Sequence, residues 1–284
     1  MFAPQKQNII TEDTQTFKVK LLVDEFSKRA WVKNYAYHDP AKLARFIAGA
    51  CSNHGLEKII FPVRAKHYDE LKGQGFSMEG WIDGYFNGQT AYFLTYYLKP
   101  ERSISPRLTE YMDLVRQISE RSHRKPHFLP CEHQIVTPTT RDIPALTSIF
   151  KKVFATYPSP VDQPDYLAAV LGKTALFKAV RRGQDIISVA AAEVDWAYRN
   201  AELTNCATLP ASRGSGLMSG IIAALESECL ARGIKCLYSL ARASSYGMNL
   251  VFHRLGYRYQ GTLINNCHIS GAYEDMNIWV KYAS

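Results

Sequence analysis

NAELTNCATLPASRGSGLM, residues 200–218, is the stretch that decides the fold. Residues 201–208 read as a strand. Leu209-Pro-Ala-Ser-Arg-Gly-Ser-Gly216 then turns on two glycines, and 217–232 carries a helical pattern stopped by Gly233 as a C-cap. A strand, a glycine-rich turn and a helix N-terminus set several free backbone N–H groups in one concave arc, where the helix dipole adds partial positive charge. Small residues let a phosphate approach the backbone, and Arg213 adds a cation. The segment therefore reads as a pyrophosphate cradle. It matches neither G-x-x-x-x-G-K-[ST] nor G-x-G-x-x-G, which disfavours the P-loop and the dinucleotide-binding turn.

The elements around it alternate. Upstream, Gln134–Val136 reads as a strand. Thr139-Thr-Arg-Asp142 with Pro144 reads as a helix start with a capping residue and an acid in the first turn. YPSPVDQP (157–164) is a loop that leads into a short helix. Strands are expected at 175–180 and 186–195. Downstream come a strand at 235–240, a helix at 246–255 stopped by Gly256, and strands at 257–269 and 274–282. Residues 107–121, with apolar side chains at helical spacing, read as a connecting helix, and 123–130 as irregular chain.

The first half echoes the second. GLEKIIFPVRA (55–65) aligns without a gap on GIKCLYSLARA (233–243). GFSMEG (75–80) and GYRYQG (256–261) follow, then hairpins at Asn87-Gly88 and Ser270-Gly271. Residues 40–98 thus read as a second copy of the back part of 217–282. Counting back from Gly55 by the distance that separates Gly233 from Gly216 reaches His38, in Tyr37-His-Asp-Pro40. No glycine pair stands there, and Pro40 removes an N–H.

Composition sets the bounds. The chain has 284 residues, 46% hydrophobic and 21% charged, which allows about two domains and excludes general disorder. No apolar run reaches the roughly 18–20 residues of a membrane span, and MFAPQKQNIITEDTQTFKVK at the start holds no apolar leader region. The six cysteines form no C-x-x-C pair and read as reduced thiols of a cytoplasmic protein; no His/Cys cluster has metal spacing, so no metal is expected. A net charge of +8 suits a polyanionic cofactor as well as nucleic acid. The basic residues are dispersed, however. The densest run, Arg121-Ser-His-Arg-Lys125, is short and reads as solvated surface, so no nucleic-acid partner is expected.

Arg213-Gly-Ser-Gly216-Leu-Met218 resembles the Arg-x-x-Gly-x-Gly/Ala acetyl-CoA loop of the GNAT acyltransferases, with Met218 where that family has Gly or Ala. Longer strings narrow the resemblance. YPSP (157–160), NAELTNCATLP (200–210), YSLARASSYGMN (238–249), FHRLGYRYQGTLINNCHISG (252–271) and EDMNIWVK (274–281) are similar to the β-lysine N-acetyltransferases, which acetylate a side-chain amine to make a compatible solute in osmoadaptation. The resemblance implies an α/β (α+β) chain with a catalytic GNAT domain over 129–284. Residues 1–128 are then a partial, degenerate GNAT-like half with the connecting helix. That half lacks a CoA cradle and is expected to be structural or to form a homodimer, and to wall the substrate pocket. It also implies acetyl-CoA held by Cys206, Ala207 and Thr208 on the strand, by Arg213, Gly214, Ser215, Gly216, Leu217 and Met218 in the loop, and by Asn249 and Phe252 on the following helix.

Acetyl transfer to an amine needs a neutral amine, a polarised carbonyl and a protonated leaving thiolate. A free alkyl ammonium has a pKa near ~10.4, so a base must take its proton. Glu202, on the strand entering the loop, is the candidate base; the alternatives are that it only binds the ammonium or is an exposed strand acid. Glu193 and Asp195 on the preceding strand are next in line and, with Asn205, are candidates for substrate binding. A backbone N–H near Asn205–Ala207 is the candidate to polarise the carbonyl. The family's usual acid is a tyrosine four residues before the helix-ending glycine; here that residue is Phe252. Tyr246 is the substitute candidate, with Ser245 beside it, and Cys206 is rejected as a nucleophile. The competing functions are a GNAT acting on another amine (a polyamine or a peptide N-terminus) and a non-catalytic acyl-CoA-binding regulator.

Overall fold

The computed structural model describes residues 8–123 and 132–283. Cys131, the irregular chain expected over 124–130, the boundary at 128/129 and residues 1–7 lie outside the described residues. The first half runs β1 (Asn8–Asp13), β2 (Phe17–Asp24), β3 (Arg29–Tyr37), α1 (Pro40–Asn53), β4 (Lys58–Arg64), α2 (Tyr68–Lys72), β5 (Ser77–Phe86), β6 (Gln89–Tyr97). The connecting helix is α3 (Leu108–Ser119). The second half runs β7 (His133–Val136), α4 (Ile143–Val153), α5 (Pro164–Val170), β8 (Ala175–Arg182), β9 (Asp185–Asp195), β10 (Asn200–Thr208), α6 (Leu217–Ala231), β11 (Cys236–Arg242), α7 (Tyr246–Arg254), β12 (Arg258–Ile269), β13 (Ala272–Tyr282).

All thirteen strands share one sheet, ordered β1-β2-β3-β4-β6-β5-β12-β13-β11-β10-β9-β8-β7. The order reads the same from both sides of the β5/β12 junction. β1 to β6 with α1 and α2 repeat β8 to β13 with α6 and α7, while β7, α4 and α5 have no counterpart. The repeat expected over 40–98 therefore extends back to β1. The register repeats too: β3 and β4 pair in parallel at Arg29↔Lys58, Ala30↔Ile59 and Trp31↔Ile60, and β10 and β11 at Asn200↔Cys236, Ala201↔Leu237 and Glu202↔Tyr238. The two hairpins match in conformation, with φ of 51° and 96° at Asn87-Gly88 and 51° and 93° at Ser270-Gly271, as a tight antiparallel turn requires.

Gly80 pairs with Gly261 across the junction, and these are equivalent positions of GFSMEG and GYRYQG. A Cβ on Gly80 would lie 2.6 Å from the Gln260 carbonyl oxygen, so the strands approach this closely only because both residues lack side chains. Beside them Lys58 is fully buried, its ammonium donating to Glu79 Oε2 (2.7 Å) and to the Ile264 carbonyl (2.6 Å). One core cluster is built from both halves: Ile60, Ile82, Tyr85 and Phe93 pack with Tyr238, Leu263, Met276 and Ile278. The strand edges that would join two copies of such a unit are thus used within the chain. Among the described residues the five cysteines are unpaired, and no helix is long and apolar enough to cross a membrane.

Candidate active site

The parallel β10–β11 ladder has three rungs and ends at Glu202↔Tyr238. Beyond that rung β10 stays with β9 and β11 with β13, so the two strands diverge into a V. The cause lies partly in β10, where the β9 register shifts between Thr204 and Ala207, so that Asn205 and Cys206 stand opposite one residue. Asn205 takes φ = 54° and is buried, and its Nδ2 donates to Glu193 Oε1 at 3.2 Å. Asn205 Oδ1 is buried without a partner.

The cradle follows at the mouth of the V. Gly214 and Gly216 have φ of 81° and 75°, and a Cβ on either would meet nothing within 4 Å, so the backbone is open on its outer side. Helix α6 begins at Leu217 with no side-chain cap and no acid in its first turn, leaving its N–H groups to an external anion. Leu217 and Met218 bury their side chains in the core, so Met218 contributes backbone only. The guanidinium of Arg213 ties the loop by donating from Nε to the Thr208 carbonyl (3.3 Å), and Thr208 Oγ1 meets Ser188 Oγ at 2.7 Å. These residues fit a pyrophosphate.

The same place in the first half is closed. Asp39 caps α1, its carboxylate accepting from Lys42 N at 3.0 Å, and Pro40 opens the helix. In the β3–β4 splay the Tyr35 hydroxyl accepts from Arg64 N (3.0 Å) and meets His67 Nδ1 (3.0 Å), which bridges part of the gap that β10 and β11 leave open.

Glu202 and Glu193 are direct cross-strand partners. Burial raises the Glu202 carboxyl to about 7, and the facing Glu193 adds to the rise; Lys33, Arg29 and a hydrogen bond from Tyr238 oppose it. Glu193 is also raised, by burial first, against the Asn205 hydrogen bond and Lys33. A carboxyl that titrates near neutrality, at the last rung before the splay, is suited to accept a proton from an amine. Both opposing cations, Lys33 and Arg29, belong to β3 of the first half. By the repeat, Trp31 stands where Glu202 stands in the second half, and Lys33 Nζ sits 5.5 Å from the Trp31 ring centroid.

Several expectations need correction. Phe252 is fully buried and packs edge-on against Tyr257 (5.2 Å), so it belongs to the core and not to a cofactor surface. Asn249 is also fully buried, with all four hydrogen-bonding positions filled. Its Nδ2 donates to the Arg242 and Ser245 carbonyls (2.9 and 2.7 Å), and its Oδ1 accepts from Asn277 Nδ2 and Trp279 Nε1 (2.9 and 2.7 Å). It holds α7 to the sheet instead of holding a ligand. Asp195 Oδ1 accepts from the N–H groups of Ala197 and Tyr198, both at 3.0 Å, and so shapes the β9–β10 turn. Cys206, already rejected as a nucleophile, has its thiol pushed up to about 12 by burial, which is against thiolate chemistry. Ala207 is buried in the core, so only its backbone is open to a cofactor; Tyr246, by contrast, is exposed at the start of α7 and keeps its candidacy as the acid. Reading the sequence does not single out Lys33, Trp31, Arg64, Tyr85 or Tyr238; only the strand register and the joining of the two halves bring them to the site.

Comparison with known proteins agrees with this geometry. The sequence profile described as "Acetyltransferase (GNAT) family" matches residues 143–257. The chain is 37% identical to "N-acetyltransferase YodP" of Bacillus subtilis over 91% of this chain and 94% of that protein. It is 32% identical to "Beta-lysine N(6)-acetyltransferase" of Methanosarcina mazei, over 83% of this chain and 96% of that one. The protein of the same name from Methanococcus maripaludis is 28% identical over 86% and 89%. The chain belongs to the GNAT acetyltransferase family. Within it, this protein is an acetyl-transferring enzyme whose chain carries a GNAT domain and an additional half.

Proposed function

We propose that the protein transfers acetyl from acetyl-CoA to the side-chain amine of β-lysine by direct attack, giving Nε-acetyl-β-lysine as a compatible solute. The observation that carries this reading is the Glu193–Glu202 carboxylate pair at the throat of a splay whose mouth is an uncapped helix N-terminus. The likeness to two proteins named for β-lysine supports the choice of amine. Arg213, Gly214, Ser215, Gly216 and the first N–H groups of α6 hold the pyrophosphate, and bound acetyl-CoA supplies the activated acetyl thioester. Glu202 removes the ammonium proton, and Glu193 helps bind the cation. The bulge at Asn205 and Cys206 frees backbone N–H groups to polarise the carbonyl. Tyr246, at the same edge of the sheet, is the group assigned to protonate the leaving thiolate; an unchanged kcat in Tyr246→Phe removes it from that role. The deciding assay is acetyl-CoA turnover with β-lysine, α-lysine and spermidine side by side. β-Lysine is expected to have the highest kcat/KM, and a preference for spermidine overturns the reading.

A further inference from the structure

The first half adds more than support. Where its own splay faces the second half, a cavity of about 60 Å³ is lined by Lys33, Asn34, Tyr35, Arg64, Tyr85 and Tyr198, among others. That is room for a few water-sized groups, the scale of a carboxylate. No acidic residue lines it, and two cations do. Among the described residues neither Lys33 nor Arg64 has a carboxylate at ion-pair distance. Lys33 rests on the Trp31 ring. The Arg64 guanidinium lies 4.3 Å from the Phe86 ring centroid and 5.8 Å from that of Tyr198, with its Nη1 donating to the neutral Gln89 Oε1 at 2.9 Å. Aromatic faces and an amide hold these cations in place without neutralising them. Lys33 is at the same time within electrostatic reach of Glu202, Glu193 and Asp195. The cleft between the halves is therefore divided in sign, with carboxylates from β9 and β10 on one wall and cations from β3 and β4 on the other.

We propose that Lys33 and Arg64 bind the carboxylate of the acceptor, so that the first half selects an amino acid over a polyamine or a peptide N-terminus. This rests on reading the β10–β11 splay as the acetyl-transfer site. An ammonium goes to the Glu193–Glu202 pair and a carboxylate to the facing cations, a pattern that only a zwitterionic acceptor satisfies at both ends. An acceptor without the carboxylate forgoes the contacts to both cations and so binds less tightly.

The test uses the full chain, acetyl-CoA, and acceptors paired with and without the carboxylate. β-Lysine is paired with 1,4-diaminopentane, which is the same molecule with hydrogen in place of the carboxylate; α-lysine is paired with 1,5-diaminopentane. In Lys33→Met and in Arg64→Met, KM for β-lysine is expected to rise about 10–100-fold, the scale of a lost charged hydrogen bond, while kcat changes little at about pH 9, above the Glu202 titration that loss of Lys33 moves upward. The ratio of kcat/KM for β-lysine over 1,4-diaminopentane falls at least tenfold. Lys33→Arg and Arg64→Lys keep the charge and restore most of that ratio, which separates binding from a folding defect. An unchanged ratio in both Met variants, whatever the absolute rates, overturns the proposal. So does a wild-type enzyme that prefers the diamines. If the wild-type enzyme takes α-lysine instead of β-lysine and its ratio over 1,5-diaminopentane collapses in the variants, the carboxylate subsite stands and β-lysine as substrate falls.

Discussion

Replacing Glu202 by Gln removes the proposed base while keeping the side chain's size and its capacity to accept from Tyr238. The structure sets two magnitudes. A positioned base contributes about 10²–10⁴-fold, or about 2.7–5.4 kcal/mol of barrier, so kcat/KM at pH 7 should fall by that factor. The carboxyl titrates at about 7, so the wild-type profile should rise with pH through that value and then level. The variant depends on amine that is already neutral. For an ammonium of pKa ~10.4 that fraction is about 4 × 10⁻⁴ at pH 7 and grows about tenfold per pH unit. The deficit should therefore shrink by about a factor of ten for each unit above 7, closing to within about tenfold near pH 10. Steady-state kinetics from pH 6 to 10 with saturating acetyl-CoA reads both effects. A Gln variant with a near-normal rate and the same acid limb refutes the assignment and moves the role to Glu193.

Three further outcomes are expected. Glu193→Gln removes the like charge facing Glu202 while keeping an acceptor for Asn205; the Glu202 carboxyl then titrates lower, and the acid limb of kcat/KM moves below about 7. A limb that stays or rises contradicts the pairing. Gly216→Asp places a carboxylate at the uncapped start of α6, at a φ of 75° that an L-residue adopts only with strain, so calorimetry should show CoA binding lost while circular dichroism checks that the fold persists; wild-type affinity refutes the cradle. Gly80→Ala drives a Cβ to 2.6 Å from the Gln260 carbonyl and 2.7 Å from Ile278 Cδ1, an overpacking cost of about 1–3 kcal/mol. A drop in Tm of several degrees is expected, and an unchanged Tm shows that the junction yields.

Much of this protein is legible in its local chemistry. The loop 209–216 and the helix after it are contiguous, and glycine, small residues and a C-cap carry their meaning within a few positions. Glu202 stands out because it lies on the strand that enters that loop. The internal repeat is visible where helix α1, strand β4 and the β5–β6 hairpin keep glycines and apolar runs at matched spacing. It is invisible over β1 to β3, because what repeats there is hydrogen-bond register, which constrains backbone and leaves side chains free to diverge. Trp31 occupies the place of Glu202, and no alignment of residue types would pair them. Sequence spacing also puts Asn249 and Phe252 on the right helix without telling which face each turns inward; buried hydrogen bonds and packing decide that. The wall of cations is beyond its reach for a similar reason. Lys33 and Glu202 lie far apart in the chain, and they face each other only because two equivalent sheets join through Gly80 and Gly261. Sequence alone located the glycine-rich turn that opens α6 and the acid on the strand that enters it. Only the tertiary structure decided what faces that acid, because the opposite wall comes from the other copy of the fold.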